Sequence, residues 1–269
     1  MRGKLYLVGT PIGNLSDITL RALETLKTVD IIACEDTRHT LALLNRYEIK
    51  KPLVSYYKHK EKEGTEKIVG LLEEGKTVAL VTDAGMPCVS DPGAILVKRL
   101  YELGYDYTVV PGPSAVVCAA ALSGTEKGFT FLGFLPEKKS LRDEAVEKIA
   151  DLPHTTFIYA APHDVNETLS YLYEKLGDRE ICIVKEITKI YESVIKGTLS
   201  KTRVENPKGE FVIGIEPKNE TKEIPTDEKI IEEIKKEILS GTAKKEAVKI
   251  VAEKLKVSKN TVYKLSLDI

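Results

Sequence analysis

Hydrophobic runs of strand length recur along the first half of the chain. Five runs rich in apolar and β-branched residues predict strands at Leu5–Val8, Ile31–Cys34, Leu53–Tyr57, Val78–Thr82 and Tyr107–Val110. Between them, apolar residues recur at the spacing of one helix face, as at Leu20, Leu23 and Leu26. This alternation predicts an open, mostly parallel sheet with helices on both faces.

The second half carries five further strand-like runs in a different order. They are Phe129–Leu135, Thr156–Ala160, Ile181–Val184, Ser193–Gly197 and Phe211–Ile215, with helical patterns at Leu141–Ile149 and Val165–Leu176. No helical pattern separates the strands that follow Arg179, which is typical of a mixed sheet containing a hairpin.

A helical extension follows the second set of strands. After a polar linker from Lys218 to Pro225, helical patterns occur at Asp227–Leu239, Ala243–Leu255 and Lys259–Leu267, and the last two resemble a helix-turn-helix. The predicted fold class is α/β, with two domains, residues 1–123 and 124–217, and a helical extension at 226–269.

Composition narrows the class of protein. The chain has 269 residues and is 42% hydrophobic, enough for more than one core. No apolar run approaches the roughly 18 residues of a membrane-spanning helix, and the N-terminus does not resemble a signal peptide. The four cysteines, Cys34, Cys88, Cys118 and Cys182, form no metal-binding or disulfide pattern. We therefore expect a soluble cytoplasmic protein without a metal site.

Charge is balanced over the whole chain and unbalanced near its end. The net charge is −1, which argues against a protein whose whole surface binds nucleic acid. Between Thr242 and Leu267, however, seven lysines accompany only two acidic residues. This segment predicts RNA contacts through Lys244, Lys245 and Lys259. The pattern is equally compatible with helices that only cover apolar surface.

Candidate ligand-binding residues follow the strands, because open α/β sheets bind ligands at the carboxyl ends of their strands. The eleven residues from Asp83 to Gly93 form a connection longer than the usual two to six or so, which favours a functional loop. The loop from Gly9 to Gly13 lacks the spacing of a dinucleotide-binding turn. It is compatible with either a tight connection or a ligand contact.

Two charged clusters lie at the same predicted edge. Glu35, Asp36 and Arg38 are candidates for a proton acceptor and its positioning groups, or alternatively for a helix cap with a surface ion pair. The run Lys58, His59 and Lys60 predicts phosphate contacts, or alternatively a solvated basic surface. Motifs of serine hydrolases, P-loop nucleotidases and zinc proteases do not occur.

Several motifs together resemble one known family. They are Leu7–Leu15, Cys34–Arg38, Asp83–Pro87, Ser90–Gly93, Pro111–Ala115, Gly133–Pro136, Lys185–Lys189 with Glu192, and Gly209–Val212. On these motifs the chain resembles, over essentially its whole length, the ribosomal RNA small subunit methyltransferase I family of the tetrapyrrole methylase superfamily. It departs from the family pattern at Glu137, Ala160 and Asp164.

The resemblance implies a function and a cofactor site. It implies two α/β domains with S-adenosylmethionine bound in the cleft between them, and 2′-O-methylation of a cytidine ribose in 16S rRNA at the decoding centre by a homodimer. The residues implied to contact the cofactor are Pro11, Ile12, Asp83, Ala84, Gly85, Met86, Pro87, Val89, Ser114, Ala115, Phe134 and Leu135. Glu35, Asp36 and Asp83 remain alternative proton acceptors, while Arg38, Lys58 and Lys60 are placed to hold RNA phosphates.

Two rival functions fit parts of the same pattern. A methylase acting on a small porphyrin-like molecule would keep the fold and the cofactor but would have no use for the basic segment. A non-catalytic nucleic-acid-binding regulator would use the helix-turn-helix, and its loops would only connect strands. The expected macromolecular partner of the favoured enzyme is 16S rRNA or the small ribosomal subunit.

Overall fold

A computed structural model of the chain describes residues 2–126, 128–218, 225–255, 257–267 and 269. The chain divides into two compact units, Met1–Lys218 and Asn219–Ile269, which we call the main unit and the C-terminal unit. The main unit contains both predicted sheets. The predicted boundary between residues 123 and 124 falls inside it and stays a prediction.

The first sheet of the main unit is wholly parallel. Its strands are β1 (Lys4–Val8), β2 (Ile31–Cys34), β3 (Leu53–Ser55), β4 (Val78–Leu80) and β5 (Asp106–Val110), in the order β3-β2-β4-β1-β5. The central strands β2 and β4 are continuously apolar because helices cover both faces of a parallel sheet. The predicted third and fourth strands lose their last two residues, although Tyr56 and Val81 still donate backbone hydrogen bonds to β2.

Four helices cover this sheet, two on each face. They are α1 (Leu20–Thr28), α2 (Thr37–Arg46), α3 (Glu61–Glu73) and α4 (Ala94–Leu103). Side chains of a strand alternate between faces, so Ile32 packs in the core formed with α1 and α2, whereas Ala33 packs in the core formed with α3 and α4. The prediction of helices on both faces is confirmed.

The second sheet is mixed. Its strands are β6 (Phe129–Phe134), β7 (Thr155–Ala160), β8 (Glu180–Lys185), β9 (Ser193–Thr198) and β10 (Phe211–Ile215), in the order β6-β7-β10-β8-β9. Strands β6 and β7 pair in parallel, whereas β10 is antiparallel to both β7 and β8, and β8 forms a hairpin with β9. The predicted mixed sheet with a hairpin is therefore confirmed.

Three helices pack against the second sheet. Helix α5 (Ala115–Ser123) covers one face, against Phe157, Cys182 and Val212. Helices α6 (Lys139–Ala150) and α7 (Val165–Leu176) cover the other face, where Ile158, Ile183 and Ile213 are buried. Helix α5 follows the last strand of the first sheet yet packs on the second sheet, so the chain crosses between the two cores just before this helix.

Within the described residues, the C-terminal unit contains three helices, as the sequence predicts. Helices α8 (Asp227–Leu239), α9 (Lys244–Lys254) and α10 (Lys259–Ser266) enclose a small core that includes Ile234 and Val262. Ser258 caps α10 by accepting a hydrogen bond from the Thr261 amide. Among the described residues, no helix has the length and apolar character needed to cross a membrane.

Candidate active site

Two loops at the carboxyl end of the first sheet are joined by backbone hydrogen bonds. The Thr10 amide donates to the Gly85 carbonyl at 2.9 Å, and the Gly85 amide donates back to the Thr10 carbonyl at 3.1 Å. The buried Thr10 hydroxyl also donates to the Thr82 carbonyl at 3.1 Å. The first loop and the long loop from Asp83 therefore form one fixed surface.

Glycines allow this surface to form. A Cβ atom on Gly9 would lie 2.7 Å from the Cα atom of Gly112, so the first loop and the turn after β5 approach as bare backbone. Gly85 has a φ of +84°, which a residue with a side chain adopts only under strain. Both positions therefore require glycine for the backbone to lie where it does.

A central cavity of about 480 Å³ opens above these loops, between the two sheets of the main unit. Its walls come from both halves: Ile12, Glu35, Asp83, Ala84, Gly85, Met86, Val89, Ser90, Asp91, Ser114, Ala115, Phe134, Tyr159, Ala160, Ala161, Pro162, Ile187, Glu210, Phe211 and Val212. This size is within the usual range for small-molecule sites, about 300–1,000 Å³. The carboxyl end of the first sheet, where the sequence predicts ligand binding, thus forms one wall of this cavity.

Four carboxylates line the central cavity, and three of them, Glu35, Asp83 and Asp91, come from the first half of the chain. Burial, and next the neighbouring Asp83, raise the pKa of Glu35. Burial, followed by the charges of Glu35 and Asp83, raises the pKa of Asp91 to about 6. Carboxylates held together away from water resist ionisation and attract cations. Among the described residues, no group of three or more His, Cys, Asp and Glu side chains is arranged to hold a metal ion.

Asp36 and Arg38 lie outside this cavity. Asp36 caps α2 by accepting a hydrogen bond from the Arg38 amide at 2.8 Å, and its carboxylate pairs with the Arg38 guanidinium at 2.8 Å. Hydrogen bonds from the Arg38 side chain and then its amide lower the pKa of Asp36 to about 2. The Arg38 side chain is 91% exposed. This is the cap and surface ion pair that the sequence offered as the alternative to a catalytic pair.

Nine of the twelve residues predicted to contact the cofactor line the central cavity, and the other three do not. Leu135 lines a second cavity of about 300 Å³, and Pro11 lines a third cavity of about 370 Å³. Pro87 lines none of these three cavities and is buried. Sequence alone could not tell which side of the loop the Pro87 ring would occupy.

The predicted RNA-contacting residues are all exposed. Lys58, His59 and Lys60 form a 3-10 turn after β3. The Lys58 ammonium lies close enough to the central cavity to offset part of the rise in the pKa of both Glu35 and Asp91. Lys244, Lys245 and Lys259 are exposed in the first turns of α9 and α10. Lys58 of the first cluster therefore lies near the cavity, and the second cluster belongs to the separate C-terminal unit.

Residues from the second sheet were the main omission of the sequence prediction. Tyr159 and Ala160 end β7, Ile187 follows β8, and Phe211 and Val212 begin β10. Strand β10 is antiparallel to its neighbours, so its amino end reaches the edge where β7 and β8 have their carboxyl ends. A prediction based on residues that follow strands therefore misses Phe211 and Val212. The turn at Ala161 and Pro162, directly after β7, is the sequence signal that could have indicated the cavity residues at the end of that strand.

The loop after β8 ties the two halves together. The Lys189 ammonium lies 2.8 Å from Oε1 of Glu186 and 2.8 Å from Oε2 of Glu210. The Thr188 hydroxyl donates a hydrogen bond to Asp17 in the first half. Glu186 and Thr188 both have positive φ angles, 51° and 66°. This loop therefore holds a strained backbone where it closes one side of the cavity.

Comparison with known proteins identifies the family. The profile of the Tetrapyrrole (Corrin/Porphyrin) Methylases matches residues 4–202. A Bacillus subtilis protein named Ribosomal RNA small subunit methyltransferase I is 42% identical, over 97% of this chain and 93% of its own length. A Thermotoga maritima protein of the same name is 44% identical, over 78% of this chain and 97% of its own length. The chain belongs to the ribosomal RNA small subunit methyltransferase I family.

This family lies within the tetrapyrrole methylases, and solved structures agree with the fold. Uroporphyrin-III-C-methyltransferase from Thermus thermophilus superposes with a TM-score of 0.57 over 80% of this chain and 94% of its own, at 21% identity. As a tetrapyrrole methylase, the chain is a methyltransferase that uses S-adenosylmethionine.

The residues that line the central cavity fit S-adenosylmethionine. Glu35, Asp83 and Asp91 present negative charge to a cationic sulfonium and an ammonium group. Apolar side chains such as Met86 and Val212 suit a nucleoside base. The first backbone amide of α5, at Ala115, is available as a donor to the cofactor carboxylate because a helix leaves its first amides without a partner in the helix. The next amide, at Val116, already donates to the Tyr159 hydroxyl.

Proposed function

We propose that this methyltransferase modifies the 2′-hydroxyl of a cytidine ribose in 16S rRNA at the decoding centre. The observation that carries the proposal is the 42% identity with the Bacillus subtilis ribosomal RNA small subunit methyltransferase I over 97% of this chain, which includes the basic C-terminal helices. The cytidine, its ribose oxygen and its place in the ribosome are what the motif resemblance implies.

The proposed chemistry needs alignment and one proton acceptor. When bound, S-adenosylmethionine supplies an activated methyl group. The hydroxyl oxygen attacks well only as its proton leaves, so a carboxylate must lie within reach of it. Glu35 is the proposed acceptor because it lines the central cavity, and the Thr82 hydroxyl, 3.4 Å from its Oε2, limits its movement. Its raised pKa makes it a stronger base than an exposed glutamate.

The basic residues are proposed to hold the RNA. Lys58 lies near the acidic cavity, and His59 and Lys60 follow it in the same 3-10 turn. The Arg38 side chain is exposed to solvent. These positions suit phosphate contacts, since charged side chains at the rim position a nucleic acid without reading its sequence. Lys244, Lys245 and Lys259 are proposed to add a second set of phosphate contacts from the C-terminal unit.

We also propose that the protein acts in the cytoplasm as a homodimer. Helix α5 is apolar on all sides, and Val117 and Leu122 on its outer side are 56% and 39% exposed. A helix of this kind is normally buried on every face, so a second copy is the proposed cover. Sedimentation equilibrium of the wild type should give twice the 29.8 kDa chain mass, and a monomer at micromolar concentration would reject the homodimer.

The test of the function is transfer of labelled methyl from S-adenosylmethionine to small-subunit RNA, followed by mapping of the modified ribose. We expect a single 2′-O-methylcytidine, formed by the wild type and strongly reduced in Glu35→Gln. Methylation of a porphyrin-like acceptor but not RNA would favour the small-molecule enzyme. RNA binding without transfer to either acceptor would favour the regulator. Assembled subunits and naked rRNA are assayed in parallel.

A further inference from the structure

A second cavity adjoins the central one. It measures about 300 Å³ and shares four wall residues with the central cavity: Phe134, Tyr159, Ala160 and Ala161. A group bound there would lie directly beside a cofactor in the central cavity. The cofactor is assigned to the central cavity, so the second cavity has no ligand assigned to it.

An aromatic side chain stands where the two cavities meet. Phe134 is 60% exposed, and its ring centroid lies 5.4 Å from that of Tyr159 in an edge-on arrangement. A large apolar side chain left exposed at a cavity junction offers one face to a flat ligand. Nucleic-acid-binding proteins use such faces to stack unpaired bases.

The backbone before Phe134 is shaped to aim this side chain. The register of β6 against β7 shifts between Phe131 and Phe134, and Gly133 has a φ of +68°. A Cβ atom on Gly133 would lie 2.6 Å from Oγ of Ser90, in the long loop of the first half. Irregularities of this type redirect a side chain and occur often beside active sites.

The wall of the second cavity that lies away from Phe134 is polar, and hydrogen bonds hold its Arg142 and Tyr171 side chains in place. Arg142 donates to the carbonyls of Pro136 at 2.9 Å and Glu137 at 3.0 Å, and its guanidinium lies 5.5 Å from the centre of the Tyr171 ring. The Tyr171 hydroxyl in turn donates to Asp143 at 2.7 Å. These bonds hold the loop after β6 against helices α6 and α7.

Two carboxylates in this wall lack a partner within the described ranges. Glu137 and Glu167 both line the cavity, and neither carboxylate makes a hydrogen bond or ion pair in that part of the chain. Asp164, by contrast, lies 3.1 Å from Nε2 of His163. Carboxylates accept hydrogen bonds from exocyclic amino groups, and among pyrimidines cytosine carries such a group, whereas uracil has a carbonyl there.

We propose that the second cavity receives the base of the substrate nucleotide. Phe134 stacks on the base, and Glu137 and Glu167 accept hydrogen bonds from the amino group of a cytosine. This inference rests on the proposed function, and it assigns the choice of cytidine over uridine to named side chains. It also requires the target nucleotide to leave its neighbours in the RNA, as bases that undergo enzymatic chemistry commonly do.

The first test replaces the aromatic ring of Phe134 with an apolar side chain that cannot stack on a base. In Phe134→Leu, the KM for small-subunit RNA should rise or kcat/KM should fall by about 5- to 150-fold, the effect of losing one base–aromatic stack. Affinity for S-adenosylmethionine is measured by calorimetry in the same variant, because Phe134 also lines the central cavity, and the effect on RNA should exceed any loss of cofactor affinity. The matched control is Phe129→Leu, on the same strand and outside both cavities. A loss of cofactor affinity that accounts for the whole activity loss would overturn the stacking role.

The second test concerns base choice. Substrates with cytidine or uridine at the modified position are compared for wild type, Glu137→Gln and Glu167→Gln. An amide can also donate to the carbonyl of uracil, so at least one variant should lower the cytidine-to-uridine ratio of kcat/KM by about fivefold or more. If the cytidine-to-uridine ratio of kcat/KM is unchanged in both single variants and in the double variant, Glu137 and Glu167 do not select the base.

A binding measurement separates this inference from the proposed function. Fluorescence anisotropy is measured with a short single-stranded RNA containing one cytidine among uridines, and with an all-uridine control. If wild type transfers no methyl to RNA yet prefers the cytidine oligonucleotide in a manner lost in Phe134→Leu, the proposed function fails and the base site stands. If transfer occurs and neither Phe134 nor the two glutamates affects it, the base site fails alone.

Discussion

The two walls of the central cavity differ in chemistry. The wall from the first sheet carries Glu35, Asp83 and Asp91, whereas the wall from the second sheet carries mainly apolar and aromatic side chains such as Phe134, Tyr159 and Val212. Glu210, the acidic residue of the second wall, is already paired with Lys189. A ligand with one cationic part and one flat part is therefore oriented by the cavity, because each wall suits only one of these parts.

The largest expected effect comes from disturbing the first wall at its backbone. Gly85→Val forces a β-branched residue into a φ of +84° and adds bulk at the cavity floor. Affinity for S-adenosylmethionine should fall by roughly 100-fold, or about 2.7 kcal/mol, in calorimetric titration. Gly104→Val is the matched control, since Gly104 has a φ of +68° with open space around it and does not line the cavity. Equal losses in both variants would contradict the placement of the cofactor.

A second prediction separates the buried acid of the first wall from the exposed pair beside it. At saturating S-adenosylmethionine, Glu35→Gln should lower kcat by at least about tenfold, or about 1.4 kcal/mol in the barrier, without a loss of melting temperature. Arg38→Ala should change KM for RNA rather than kcat, because the Arg38 side chain is exposed and outside the cavity. A tenfold loss of kcat in Arg38→Ala would restore Arg38 to a catalytic role.

Part of the cavity could be predicted from the sequence, and part could not. The first sheet is wholly parallel, so every loop after a strand lies at one edge, and Glu35 and Asp83 could be placed together from the sequence. The same rule could not separate Glu35 from Asp36, because an acid between a strand and a helix serves equally well as a helix cap. In the mixed sheet the rule fails for Phe211 and Val212, which reach the cavity from the amino end of β10.

A third prediction concerns the loss of folding stability caused by the ionised Asp91 carboxylate in the first wall. The pKa of Asp91 is raised to about 6 from 3.8, so between these values the folded protein keeps a proton that the unfolded chain has lost. Stability from this group therefore falls as pH rises through that window and stays lower above it. Asp91→Asn should raise the melting temperature of the cofactor-free protein at pH 7.5 by about 2–4 °C and leave it unchanged near pH 4.

Asp36→Asn provides the contrasting case for Asp91. Its pKa is lowered to about 2 by the Arg38 hydrogen bonds, so its ionised form favours folding at neutral pH and that benefit is lost as pH falls toward 2. Asp36→Asn should lower the melting temperature at pH 7.5, opposite in sign to Asp91→Asn. The same sign in both variants would mean that the buried and exposed carboxylates do not differ as the structure implies.

The smallest expected effects concern the RNA contacts outside both walls. Each of Lys244→Gln, Lys245→Gln and Lys259→Gln should reduce the slope of log affinity for RNA against log salt by about 0.7, the value for one phosphate contact on a single strand. Lys148→Gln, an exposed lysine paired with Glu144 on α6, is the control and should leave the slope unchanged. If the slope is unchanged in all three variants, the helices of the C-terminal unit do not contact RNA phosphates through these lysines.

The reciprocal hydrogen bonds between Thr10 and Gly85 make the lengths of two loops interdependent. Surface loops usually accept insertions and deletions independently of each other. Here a residue inserted between either strand and its bridging residue would move Thr10 or Gly85 away from its partner and break both hydrogen bonds. The two segments, 75 residues apart, should therefore change length only together during evolution. Their amides should also exchange with deuterium at matching rates, because neither can open without releasing the other.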